Sequence, residues 1–147
     1  LWLRADAGAW APVILWQDQS RHGLHGRSQG HDPLSVVRHL LPALGVDVEG
    51  RCYNTIKITP KETLVFEMDQ EKKTEQVHIL CVVWEGERFV LKDEGNAMPL
   101  GEIDNLLNSA AGTPGVEVAE VCVWRAATPH DMLLKCQQYL RQKYQVT

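Results

Sequence analysis

At 147 residues, 44% hydrophobic and 23% charged, the chain suits one packed domain or two small units sharing a core, and its composition argues against disorder. Fifteen Lys plus Arg stand against nineteen Asp plus Glu, and a net charge of −4 disfavours a nucleic-acid partner. No apolar run reaches the roughly 18–20 residues that cross a bilayer, and no basic-then-apolar leader opens the chain. It starts at Leu1 without Met, as an excised domain or a processed chain would, so membrane contact is expected only through a segment absent from this chain.

Trp10 to Trp16 reads as a short buried strand or as a helix with Pro12 in its first turn. The helix is slightly favoured, because Asp6 can cap it and Gln17 to Arg21 continue without a breaker as far as Gly23. From His22 to Asp32 the chain is rich in Gly, His and Ser and predicts a loop. His22, His25 and His31, with Asp18 or Asp32 nearby, are weak candidates for a metal site, since their spacing matches no tight zinc pattern and solvated loop histidines are the commoner outcome. Asp32-Pro33 predicts a helix start, with apolar Leu34, Val37, Leu40, Leu41 and Leu44 running to Gly45.

Arg51 to Ile58 reads as a strand. Thr59-Pro60-Lys61-Glu62 is a capping box with proline at the first helical position, which predicts helix from Pro60 to about Lys72, although Thr63 to Phe66 alone passes for a strand. Gln76 to Trp84 is a strand, and Gly86 turns it into Arg88 to Lys92 as a hairpin. Leu100, Ile103, Leu106, Leu107 and Ala110 predict a helix laying one face on a core. A β-branched run with Val116, Val118, Val121 and Val123 follows, and Thr128-Pro129 with Asp131 opens the last helix.

The two halves share a pattern. Pro33, Leu34, Val37, Leu40, Leu41 and Leu44 match Pro99, Leu100, Ile103, Leu106, Leu107 and Ala110 at an offset of 66. Gly45-Val-Asp-Val48 then matches Gly115-Val-Glu-Val118, and Thr59-Pro60 matches Thr128-Pro129. The fold class expected is therefore α+β: a mixed sheet built from two tandem pseudo-symmetric helix–strand–helix units with a hairpin, helices packed on the sheet. Residues 1–74 form the first unit with its leading segment and 75–147 the second, in one domain.

The hairpin after Val77, the helix Met98-Pro99-Leu100-Gly101-Glu102-Ile103 with Leu106-Leu107, the Val-rich strand and the closing helix together resemble the periplasmic domain of the ExbD/TolR biopolymer-transport family. The opening Leu1-Trp-Leu-Arg-Ala-Asp6 is similar to that family's strand ending in an Arg-Ala-Asp turn, and Trp124-Arg125-Ala126-Ala127 keeps only its first part. The resemblance, mainly over 77–143, implies a periplasmic envelope protein beside a proton-driven motor, its folded part dimerising and contacting partner proteins or the cell wall. The family's transmembrane helix with its intramembrane Asp is absent here, and tandem units are not the family's usual plan.

Motifs of nucleophile elbows, phosphate loops, zinc proteases and dinucleotide sites are missing, so no catalytic residue and no cofactor is assigned. Glu62, Glu67, Asp69 and Glu71 with Lys72 and Lys73 suit a metal-dependent nuclease only if they converge; on a helix they are a solvated face. Cys52, Cys81, Cys122 and Cys136 are widely spaced and read as buried thiols. Trp10, Trp16, Trp84 and Trp124 are the interaction candidates; Trp84 and Trp124 end comparable strands and are expected at one rim of the sheet. The leading expectation is a non-enzymatic protein–protein interaction module, with a homodimer among its partners. A ligand-binding domain with its site between the halves, near Leu41 and Leu107, comes second, and a metal-dependent hydrolase third.

Overall fold

A computed structural model describes residues 1–7, 9, 13, 15–40, 51–59, 62–93, 95–108 and 116–146. Along them run β1 (Trp2–Arg4), β2 (Leu15–Trp16), β3 (Gly26–Gly30), β4 (Leu34–Leu40), β5 (Arg51–Ile58), β6 (Glu62–Phe66) and the short helix α1 (Gln70–Lys73). There follow β7 (Gln76–Trp84), β8 (Phe89–Asp93), β9 (Met98–Pro99), a 3-10 turn at Leu100–Glu102, α2 (Ile103–Asn108), β10 (Val116–Arg125) and α3 (His130–Tyr144). Helices combined with antiparallel sheets make the fold α+β.

Seven strands form the main sheet, in the order β4-β5-β10-β7-β8, with β1 added to β10 and β9 to β7. A second sheet holds β2, β3 and β6. β10 lies between β5 and β7 and sends apolar side chains to both faces, as a covered central strand does. Val118 and Val121 enter one cluster with Trp16, Ile56, Phe66, Ile103 and Leu107, so the small sheet and α2 cover that face. Ala119 and Cys122 enter the other, with Leu80, Val82 and Phe89 beneath Cys136, Leu140 and Tyr144 of α3. The ladder between β10 and β7 shifts register between Val118 and Glu120, an irregularity that changes the phase of the strand.

Several sequence expectations hold: the strands at 51–58 and 76–84, the hairpin, the Val-rich strand and the last helix. Gly86 makes the hairpin turn at φ +90°, where a side chain would be strained, and Glu85 N–H bonds the Arg88 carbonyl at 2.9 Å. The last helix begins one residue later than Thr128 predicts: Pro129 occupies the cap without a side-chain bond, and the Thr128 N–H bonds the Arg125 carbonyl.

Three helix expectations are corrected. Residues 34–40 form β4, paired with β5 along its whole length. Within the span from Pro60 to Lys72, Glu62–Phe66 is β6, and helix is confined to α1, which Asp69 caps by accepting the Lys72 N–H at 2.8 Å. Leu15–Trp16 is a strand against β3, which itself occupies part of the expected loop at 22–32. The two segments matched at an offset of 66 thus differ in secondary structure, strand in one and helix in the other. Leu41, Leu44 and Pro60 lie outside the described residues.

Candidate functional site

The histidine-bearing segment closes on itself through Asp18. Its Oδ1 accepts the backbone N–H of Trp2 (2.8 Å) and Ser20 (2.9 Å), its Oδ2 that of Leu24 (3.1 Å), and the Asp18 N–H donates to His25 Nδ1 at 2.9 Å. Burial raises the carboxyl's proton affinity, but the three backbone donors together with the Ser20 side chain outweigh it and hold the pKa below the ordinary value. A carboxylate so occupied is a loop anchor. His22 and His31 are exposed, and among the described residues no three His, Cys, Asp or Glu gather around a common point. Asp69 caps α1 and Glu67 is exposed, so neither converges with Lys72 on a site.

The candidate tryptophans separate. Trp16 is fully buried, its Nε1–H donating to the Arg4 carbonyl at 2.9 Å, which makes it a core residue. Trp84 and Trp124 occupy opposite ends of the sheet, since antiparallel pairing sets Trp84 opposite Glu117 and Trp124 opposite His78. This corrects the expectation of one shared rim. Trp84 packs edge-on against Phe89, and Trp124 is half-buried beside α3. Trp10 lies outside the described residues. Of the cysteines, Cys81, Cys122 and Cys136 are buried as expected, whereas Cys52 is exposed and touches His39 Nδ1 at 3.2 Å.

The main sheet ends in β8 on one side and in β4 on the other. No described residue pairs with the outer side of β4. Sheet margins are ordinarily blunted by lysine, proline or a bulge. β4 contains neither residue, and its ladder with β5 runs from Leu34 to Leu40 without a shift. Its one strong cation is tied down: Arg38 Nε and Nη2 bond Glu117 Oε1 and Oε2 at 2.8 and 2.6 Å, with the guanidinium 6.0 Å from the centre of the Trp84 ring. The Glu117 bonds, against a smaller effect of burial, raise the Arg38 pKa further, and Thr55 Oγ1 donates to the same carboxylate at 3.0 Å. Leu34 and Val37 are each 55% exposed, the largest exposures of big apolar side chains among the described residues. Their strand was readable in part: Val36-Val37 is a β-branched pair, although the cap-and-proline signal before it pointed to helix.

No family model, curated protein or solved structure matches the chain. No helix among the described residues is long and apolar enough to cross a membrane.

Proposed function

We propose that the domain is a non-enzymatic protein–protein interaction module whose partner is a second copy, joined by antiparallel pairing of β4 with β4. The observation that supports this reading is an unguarded seven-residue margin strand with two exposed apolar side chains. In an antiparallel pair related by a two-fold axis through Val37, the two Val37 side chains meet, Val36 lies opposite Arg38 of the other copy, and Ser35 opposite His39. A two-fold through Arg38 would instead set two guanidinium groups, each bound to its own Glu117, against each other in place of two apolar side chains, which favours the Val37 register over that one. The resemblance to the ExbD/TolR periplasmic domain supplies a setting for such a dimer, an envelope transport complex in the periplasm.

Light scattering on the purified domain between micromolar and millimolar concentration tests this. The natural chain is expected to dimerise, and Val37→Lys, which places two ammonium groups face to face, is expected to leave a folded monomer by circular dichroism. A chain that stays monomeric throughout, or a Val37→Lys variant that dimerises as the natural chain does, would overturn the proposal.

A further inference from the structure

The junction of β1, β10 and the start of α3 leaves an open groove of about 830 Å³. Its walls are Trp2, Cys122, Trp124, Met132, Cys136 and Tyr139, an apolar lining of the size that encloses a small organic ligand. The indole N–H of Trp124 is buried and makes no hydrogen bond. Charge around the groove is one-sided: Arg21, Arg125 and Lys135 contribute to its lining, and no Asp or Glu does. In a chain of net charge −4 that is a local reversal of sign. Of these groups, Arg125 is partly engaged by Glu75 at 3.4 Å, while Arg21 and Lys135 are exposed and form no ion pair among the described residues.

Apolar walls set beneath fixed cations complement a molecule that is itself divided in that way. We propose that this groove is a binding site for a small soluble amphiphile with one anionic headgroup, of the medium-chain carboxylate class, its chain lying against Trp124 and Met132 and its charge held by Lys135 and Arg21. The proposal concerns a different face from the dimer and stands without it. Cys136 supplies a reporter in the wall. Hydrogen bonding from Cys122 holds its thiol below the ordinary value against the effect of burial.

Decanoate, kept below its micelle concentration, is titrated against tryptophan fluorescence, with decanol as the neutral control and phosphatidylglycerol vesicles as a lipid-surface control. Expected are saturable decanoate binding, about tenfold weaker binding of decanol, and slower alkylation of Cys136 when decanoate is bound. Arg21→Glu combined with Lys135→Glu, both at exposed positions, is expected to lose decanoate at least about tenfold while the fold is kept. Met132→Trp, which fills the groove, is expected to lose both ligands. Absence of saturable binding, equal affinity for decanol, indifference to the charge reversals, or capture by vesicles alone would each overturn the proposal.

Discussion

Asp18 is the residue whose chemistry is most fully used, since one buried carboxylate satisfies three backbone N–H groups from Trp2, Ser20 and Leu24. In Asp18→Asn the side chain keeps an oxygen for Trp2 and Ser20 but turns an NH₂ donor toward the Leu24 N–H. Loss of charge-assisted bonds of this kind costs about 2–3 kcal/mol, to be read as a lower urea midpoint at neutral pH with an unchanged slope. Because the folded pKa lies below the unfolded value of about 3.9, Asp18 stabilises the fold above that pH, and its contribution disappears as pH falls through the folded value. The natural chain and the variant should therefore converge in stability on acidification. A gap that persists undiminished below the folded pKa would assign the loss to packing instead.

At the scale of elements, the small sheet depends on a close approach of β3 to β6. Gly26 stands opposite Phe66, and a Cβ placed there would meet Phe66 Cζ at 2.8 Å and Cε1 at 3.0 Å. Phe66 is buried in the larger core, so its ring has little room to retreat. Gly26→Ala is expected to cost about 1–3 kcal/mol in thermal or urea unfolding, and Gly26→Ala with Phe66→Leu to cost less than the two single changes summed. Strict additivity would show that the ring yields freely. The same elements explain what could be read in advance. β7, β10 and α3 carry long unbroken patterns, and the sequence states them correctly. β4 carries Leu34 and Val37 at a spacing of three, which puts both on one helical face but on opposite faces of a strand; pairing with β5 decides, and both remain exposed. Leu100, Ile103 and Leu107 repeat that spacing and are buried together, as a helix requires. At the offset of 66 the match between the halves is therefore one of spacing without one of structure. Position at the sheet margin depends on strand order, which local composition does not encode, so the β4 surface was not legible. Trp124 stood out in the sequence as an aromatic interaction candidate, but the groove it lines did not, because the cationic surroundings come from residues more than a hundred positions apart.

For the molecule as a whole, α3 is the one helix among the described residues that covers this face of the main sheet, so its fastening decides whether that layer holds. Cys136, Leu140 and Tyr144 supply the apolar contact, and Tyr53 Oη–H donates to the Lys143 carbonyl at 2.7 Å. The polar fastening is Glu120, fully buried on β10 just past the register shift, an acid within a valine-rich strand that belongs to no motif. Its Oε1 accepts from Lys143 Nζ at 2.7 Å and Tyr144 Oη–H at 2.8 Å, and its Oε2 from Trp2 Nε1–H at 2.8 Å, so the carboxylate ties α3, β10 and β1 together. Asp6 extends the network, 3.3 Å from Lys143 and 2.9 Å from Arg4. Burial disfavours the Lys143 charge, but bonding to Glu120 and the charges of Glu120 and Asp6 overcome it and raise the pKa; burial and then Glu120 raise that of Tyr144 as well. Both groups therefore stabilise the fold fully below their unfolded values, near 10, and lose that contribution as pH rises through the folded ones, giving an alkaline decline that Tyr144→Phe should reduce. Lys143→Met strands a buried anion and is expected to cost about 3–5 kcal/mol, whereas Lys143→Met with Glu120→Gln should be markedly less destabilised than the two single losses added together. A double-mutant cycle in urea measures the coupling. If the double variant loses the full sum, Lys143 acts on α3 through its apolar stem and not through Glu120.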